Sequence, residues 1–294
     1  MFKKIMLTVI LLNLGLAPPA VAAPKVLASI LPIQSLAAGV MAGVGQPRLL
    51  VRGPASPHAY AMRPSDARAL AAADLIFWIG PELENFLIKP LSALARRARI
   101  IQLSKLPDVR RQARTAAHGH GGEDPHIWLD PDNAAVIVRQ MSRSLRELDG
   151  ENSAIYRANS AALLRRLNGL SKRIESQLGD VKDRPFVVLH DAYRHFGQRF
   201  GLSQAGALSL NAELPVGAKG LSAIKRMIAA NNVVCVFGEA RAAPASLNIA
   251  AEGTSARTGR LGALGLDIAP GPEAYFQLLT GLAGEFRRCL GGRQ

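Results

Sequence analysis

The chain has 294 residues, two cysteines and a formal net charge of +14. A basic balance of this size raises nucleic acid as a partner. The basic residues, however, are mostly arginines scattered through helix-like segments, and no basic stripe is interleaved with aromatic residues. We therefore expect a solvated basic surface and no nucleic-acid partner. A positive overall field mildly repels cations, so any metal site must depend on its own ligands.

The N-terminus has the order of a secretory signal peptide. Two lysines within residues 1–4 precede an apolar run over residues 5–12, and a stretch of small residues ends in Ala20-Val21-Ala22-Ala23. Basic, apolar and small residues in this order, with an Ala-x-Ala site, are typical of an export signal. The apolar run is shorter than the roughly 20 residues of a membrane span. We predict a signal peptide over residues 1–22 and a mature protein outside the cytoplasm.

Strand and helix patterns alternate in the part that follows. The run Leu75-Ile76-Phe77-Trp78-Ile79 is typical of a strand in a buried parallel sheet. Ser65 is a candidate helix cap, and Pro90 predicts a break in the helix around it. The predicted strands cover residues 25–30, 48–51, 75–79 and 99–103, and the predicted helices cover residues 34–42, 66–73 and 82–97.

The middle of the chain is helical. Asp130 followed by Pro131 predicts the start of a helix that runs to about residue 148. Residues 152–179 predict a single helix about 40 Å long. Strands over 186–189 and 233–237, a helix over 191–200 and a closing helix over 273–290 follow. We predict an α/β protein of two lobes, each with a parallel sheet flanked by helices, joined by one long backbone helix. The predicted N-terminal lobe, connecting helix and C-terminal lobe are residues 23–150, 151–182 and 183–294.

Cys235 and Cys289 are the only cysteines. In an exported protein an isolated pair is more often a disulfide than a metal site, and two free core thiols are the alternative. A bond between them would close a loop of about 54 residues and contribute on the order of 4 kcal/mol.

Three histidines occupy positions suited to a ligand site. His190 directly follows an apolar strand, and parallel sheets bind ligands beyond the carboxyl ends of their strands. His126 lies between a Gly-rich loop and a helix start, where a ligand and a hydrogen-bonded core histidine are equally good interpretations. His58 follows a strand in the stiff loop Ser56-Pro57-His58, and taken alone it is better read as an exposed loop residue.

The other three histidines have weaker claims. His195 follows His190 by five residues on a predicted helix, so it points elsewhere, and we interpret it as structural or surface. His118 and His120 lie in a glycine-rich loop that is either a linker or a transient metal-collecting segment. Imidazole suits Zn²⁺, and three histidines plus water are a known zinc arrangement. The residues alone therefore indicate a candidate three-histidine metal site.

Local motifs across nearly the whole mature chain resemble those of the zinc-uptake solute-binding proteins of bacterial ABC importers. The resemblance implies two lobes around a bound metal, His58, His126 and His190 as its ligands, and a disulfide between Cys235 and Cys289. Histidine at the third ligand position resembles the zinc type, whereas manganese-type relatives tend to carry Glu there. The matching segments are SPHAYAMRPSD (56–66), ADLIFWIGPE (73–82), HIWLDP (126–131), VLHDAYRHF (188–196), VCVFGE (234–239), GTSARTGRLG (253–262) and RCL (288–290).

Two departures from the family pattern concern the fourth ligand. Some members carry Glu immediately before the first histidine, where this chain has Pro57. Many carry Asp in the stretch that here is Leu261-Gly262-Ala263-Leu264-Gly265. We therefore predict water as the fourth ligand, which favours zinc over manganese.

The resemblance implies that the protein binds Zn²⁺ with high affinity in the periplasm and delivers it to the membrane permease of an ABC importer. It also implies a monomer that is not an enzyme. A manganese-binding relative is the first alternative. The second is a secreted zinc hydrolase, since three histidines with an open water position also describe catalytic zinc. Glu123 or Glu239 would then be the general base, although the chain has no HExxH motif.

Overall fold

The computed structural model describes residues 22–53, 56–113, 122–209, 217–240 and 244–292. The predicted signal peptide, apart from residue 22, and His118 and His120 therefore lie outside the described residues. In the described part of the chain, no helix has both the length and the apolar character that a membrane span requires.

Two parallel four-stranded sheets form the frame of the molecule. The first has the spatial order β2-β1-β3-β4 and the second the order β6-β5-β7-β8. In each sheet the second strand lies on one side of the first strand, and the third and fourth strands lie on its other side. The strands are β1 (Val26–Ala28), β2 (Arg48–Leu49), β3 (Leu75–Trp78), β4 (Arg99–Gln102), β5 (Phe186–His190), β6 (Gln204–Ser209), β7 (Cys235–Glu239) and β8 (Arg257–Leu261).

Nine α-helices lie in the described residues and connect or flank these strands. The longest, α5, separates the first sheet from the second along the chain. They are α1 (Leu31–Val40), α2 (Pro64–Ala72), α3 (Ile88–Leu94), α4 (Pro131–Leu148), α5 (Ser153–Leu178), α6 (Arg194–Phe200), α7 (Ala218–Ala230), α8 (Pro244–Ala251) and α9 (Ala274–Gly291). The predicted α/β class with two parallel sheets and a long helix is confirmed, while the exact domain boundaries stay a prediction.

Apolar side chains alternate between the two faces of each sheet. In the first sheet Leu27 and Ile76 face a small core under α2 and α3, whereas Ala28 and Phe77 face the large core. The large core continues along α5 and includes Phe186 and other residues from the second sheet. Burial on both faces explains why these strands are continuously apolar. The shared core fixes the carboxyl ends of the two sheets relative to each other.

Two local predictions about helices were wrong in detail. Ser65 does not cap α2, because the helix already begins at Pro64. Asp66 closes this end by accepting a hydrogen bond from the Arg63 backbone N–H at 3.0 Å. Pro90 does not break a long helix, because α3 begins at Ile88 and Pro90 lies in its first turn, where no intrahelical N–H is needed. The predicted start of α4 is confirmed, since the Asp130 carboxylate accepts the Asp132 N–H at 2.8 Å.

A buried carboxyl group closes the loop after β3. The Glu84 side chain is fully buried and accepts hydrogen bonds from the backbone N–H groups of Ile79 and Gly80 at 3.3 Å and 2.9 Å. Burial raises the pKa of Glu84 from 4.5 to about 7, although the backbone hydrogen bonds oppose the shift. The folded protein thus holds this proton over a pH range in which the unfolded chain has lost it.

Substituting Glu84→Gln is expected to reduce the pH dependence of stability. Because the pKa is higher in the folded state, the contribution of Glu84 is fully present below about pH 4.5 and is lost as the pH rises through about 7. Wild type should therefore lose up to about 3 kcal/mol relative to the variant between pH 5 and pH 8. Chemical denaturation of both proteins at these two pH values measures the effect. A constant difference between them would contradict it.

Candidate metal centre

Three histidines from separate parts of the chain converge at the carboxyl ends of the strands. His190 is the last residue of β5, His58 lies in a turn after β2, and His126 precedes a 3-10 helix, Ile127–Leu129, that leads into α4. The ring centroids lie 5.2 Å apart for His126 and His190, and 5.8 Å and 6.1 Å from His58 to these two. His126 and His190 are buried, and His58 is partly buried.

The three imidazoles are close enough to share one metal ion. Each offers a nitrogen, and these nitrogens all lie within 4.8 Å of one another. A tetrahedral zinc with Zn–N bonds of about 2.1 Å needs nitrogens about 3.4 Å apart, so small side-chain adjustments suffice. Within the described residues, this is the only group of three or more His, Cys, Asp or Glu residues with such spacing.

A carboxylate orients His126. One Asp124 oxygen accepts hydrogen bonds from the backbone N–H of His126 at 3.0 Å and from its Nδ1 at 2.7 Å. A carboxylate only accepts hydrogen bonds, so Nδ1 carries the hydrogen and Nε2 keeps the lone pair that a metal requires. A hydrogen bond of this kind fixes the tautomer of a metal-binding histidine and raises its basicity.

A second carboxylate does the same for His190. Glu239, at the end of β7, lies 2.8 Å from Nδ1 of His190 and also accepts the Tyr193 hydroxyl at 3.0 Å. Nε2 of His190 is buried and has no hydrogen-bond partner among the described residues. Burial and the adjacent Glu239 raise the pKa of Tyr193 well above 10, so this hydroxyl remains a donor. Glu239 lines the cavity and supports a ligand, because it accepts hydrogen bonds from both His190 and Tyr193.

These two carboxylates change the local charge. Three neutral imidazoles add nothing to the 2+ charge of an ion, whereas Asp124 and Glu239 place two negative charges directly behind the rings. Both carboxylates lie within hydrogen-bond distance of a ring and are largely shielded from solvent, so their charge is screened little at the centre.

The histidines line a cavity of about 510 Å³ between the lobes. The segment after β8 and one face of α9, including Leu278 and Leu282, also line it. Pro57 and Gly262 are among the lining residues. No carboxylate in the described residues joins the three histidines as a further ligand.

Sequence reasoning identified His58, His126 and His190, and the structure brings all three together. The sequence alone did not indicate the roles of Asp124, Glu239 and Tyr193. Asp124 lies two residues before His126, a spacing at which a carboxylate can return to the backbone, but Glu239 and His190 are 49 residues apart and have no sequence signal. His195 is buried, with 1% of its surface exposed, so it is structural and not a surface residue.

Comparisons with known proteins identify the family of this chain. The profile of the ZnuA family, described as zinc-uptake complex component A, periplasmic, matches residues 26–289. High-affinity zinc uptake system protein ZnuA of Brucella abortus is 34% identical over 304 residues, covering 90% of this chain and 91% of the relative. The protein of the same name from Yersinia pestis is 34% identical over 293 residues, covering 92% of each chain. A crystal structure of ZnuA superposes with a TM-score of 0.78 at 25% identity, covering 91% of this chain and 99% of that one. The chain therefore belongs to the ZnuA family of periplasmic zinc-uptake components.

Proposed function

We propose that this protein captures one Zn²⁺ ion with His58, His126 and His190 and delivers it to the permease of an ABC importer. Members of the ZnuA family are periplasmic solute-binding proteins and not enzymes. The observation that carries the proposal is the convergence of three imidazoles, from three separate segments, whose nitrogens lie within 4.8 Å. Two of these rings are held in the metal-binding tautomer by carboxylates.

Zinc suits these ligands better than manganese. Imidazole nitrogen is a good ligand for zinc, whereas manganese prefers carboxylate, carbonyl and water oxygens. We propose water as the fourth ligand, because this chain has no carboxylate at Pro57 or in residues 261–265, where some relatives carry one, and Pro57 and Gly262 line the cavity. Three protein ligands and an exchangeable water give a site that can release its ion.

Delivery needs coordination and no bond-breaking chemistry. His58 is partly buried and lies in a turn, where its backbone N–H bonds the Ser56 hydroxyl at 3.2 Å, whereas His126 and His190 are buried. We propose that His58 is the ligand that engages and leaves first. One chain supplies all three histidines, so we further propose that the protein acts as a monomer.

The metal content of the native protein tests this proposal. Protein purified from the periplasm without added metal is expected to contain about one zinc per chain and little manganese by elemental analysis. Light scattering measures the molar mass in solution and tests whether the protein is a monomer. Protein that carries manganese, or no metal after purification in the absence of chelators, would refute the zinc assignment.

Substituting Gly262→Asp tests water as the fourth ligand. A Cβ at this position meets its nearest atom, the Ala240 Cβ, at 3.5 Å, which is ordinary contact, so the first side-chain atom fits without a clash. We expect the added carboxylate to raise manganese affinity by about ten-fold, equivalent to about 1.4 kcal/mol. Gly262→Asn is the matched neutral control. Equal manganese affinity in Asp, Asn and wild-type proteins, measured by calorimetry, would count against an open fourth position.

Truncating Glu239→Ala should weaken zinc binding without removing a ligand. Loss of the hydrogen bond to His190 frees its ring to rotate and lowers its basicity, and partners of this kind are worth about 10- to 100-fold in metal affinity. Glu239→Gln keeps an acceptor and should lose less. Glu285 lines the same cavity but bonds Arg288, so Glu285→Ala is the control. Competition against a chromophoric chelator measures all three. A loss as large in Glu285→Ala would argue against a specific role for Glu239.

A further inference from the structure

His195 is a buried histidine near the metal centre that is not one of the three proposed ligands. It lies on α6, is 1% exposed, and its Nε2 lies 3.1 Å from the backbone oxygen of Asp124. A carbonyl oxygen only accepts, so Nε2 carries the hydrogen and donates it. This hydrogen bond connects the helix after β5 to the segment before α4, 71 residues earlier in the chain.

Asp124 is also the residue that orients His126. One of its carboxylate oxygens bonds both the backbone N–H and Nδ1 of His126, and the other lies 4.0 Å from Nε2 of His195. The Asp124 backbone N–H donates to the Gln112 oxygen at 2.7 Å. Asp124 is therefore held from two sides, and a turn of its backbone would move the carboxylate and the His126 ring with it.

We propose that His195 is a positioning residue of the metal centre. Its hydrogen bond to Asp124 keeps the His126 ring oriented to bind the same metal ion as His190. The inference rests on the proposed zinc-binding function. His190 and His195 belong to one short stretch, the end of β5 and the start of α6. The stretch that carries the ligand His190 therefore also carries His195. His195 holds Asp124, and Asp124 orients the ligand His126.

Burial explains why a histidine can serve here. It lowers the pKa of His195, although the nearby Asp124 opposes the shift. The neutral ring donates from Nε2 to the carbonyl without placing a positive charge in the core. Nδ1 of His195 has no hydrogen-bond partner among the described residues, so the contact with Asp124 is the polar interaction that sets the ring orientation.

Arg199 provides a matched comparison one turn later on α6. Its Nε lies 2.9 Å from the Asp132 carboxylate, so it also connects α6 to the segment around the start of α4. Asp132 also pairs with Arg110, and its N–H bonds Asp130, but neither Arg199 nor Asp132 bonds Asp124 or a histidine ligand. Arg199→Gln therefore removes a contact between the same two segments, and one to Ser171 of α5, while the hydrogen bonds of Asp124 to His126 and His195 remain.

The test compares His195→Leu, His195→Gln and Arg199→Gln in the mature protein. Competition with a chelator measures zinc affinity, and thermal unfolding in EDTA measures the stability of the metal-free protein. The visible spectrum of bound Co²⁺ reports the geometry of the ligands. His195→Leu should lower zinc affinity by about ten-fold and alter the Co²⁺ spectrum. His195→Gln, whose amide nitrogen reaches the place of Nε2, should restore most of both. Arg199→Gln should lower stability and leave affinity within about two-fold.

The outcome that would overturn the proposal is a His195→Leu protein that loses stability but keeps wild-type zinc affinity and Co²⁺ spectrum. If His195→Leu does not fold, His195→Asn replaces it, because its amide is too short to reach Asp124. Equal affinity in His195→Asn and His195→Gln then overturns the proposal. A wild-type protein that binds no zinc would instead refute the proposed function, so the two failures are distinguishable.

Discussion

Replacing His190 by alanine is expected to lower zinc affinity by about a hundred-fold. Apparent binding energies of structural zinc sites are about 10–16 kcal/mol, so one of four ligands contributes roughly 3 kcal/mol. His190 is buried, and its Nδ1 is held by Glu239 at 2.8 Å. Alanine leaves a gap that water fills poorly and leaves the partly buried Glu239 without its imidazole partner. We expect His126→Ala to act in the same way, because it strands Asp124.

Calorimetry with Zn²⁺, using a competing chelator for wild type, measures this loss. His58→Ala is expected to have a smaller effect than the other two, because His58 is only partly buried and water can replace its ring. Gln277→Ala, which changes the cavity wall without removing a ligand, is the control. Near-unchanged affinity in all three histidine variants would rule out this ligand set.

Removing the disulfide is expected to have the largest effect on stability. Cys235 at the start of β7 and Cys289 in α9 are bonded, with Cα atoms 6.0 Å apart and a sequence separation of 54 residues. A loop of this length predicts about 4 kcal/mol from the reduced entropy of the unfolded chain. For a protein of this size, that corresponds to a fall in Tm of roughly 10 °C.

The double substitution Cys235→Ala, Cys289→Ala tests this value by thermal and denaturant unfolding. Reductant provides the control, since it should lower the Tm of wild type toward that of the variant and leave the variant unchanged. We expect zinc affinity to change little, because Glu239 lies at the opposite end of β7 from Cys235. A Tm within 2–3 °C of wild type would contradict the estimate, since 4 kcal/mol requires a larger shift.

The regular apolar elements could be predicted from sequence because their patterns are local. The buried run at β3, the Asp130–Pro131 start of α4 and the helical spacing along α5 each agree with the structure. Sequence analysis did not predict β6, β8, α7 or α8. The β8 segment, Arg257–Leu261, is an edge strand that is largely exposed and carries two arginines. Its structure comes from pairing with β7 and not from its own pattern.

The three histidines illustrate a different limit. From its own surroundings, only His190 favoured a ligand role, because it ends an apolar strand. The family motifs linked it to His58 and His126, and the structure then placed their nitrogens within 4.8 Å. Motifs identify ligand types in order along the chain, but the distance between rings depends on how the strand ends and the start of α4 pack together.

The amino-acid sequence by itself determined the fold class, and together with the family motifs it predicted the three histidines as ligands and the lack of carboxylates that some relatives carry at two places. Only the tertiary structure decided what lies behind the ligands. Asp124 and Glu239 supply two negative charges to the centre, and His195 reaches Asp124 across 71 residues. The Glu239–His190 and His195–Asp124 contacts depend on folding distant segments together, because a hydrogen bond of about 3 Å between residues far apart in the chain leaves no periodic or local trace in the sequence.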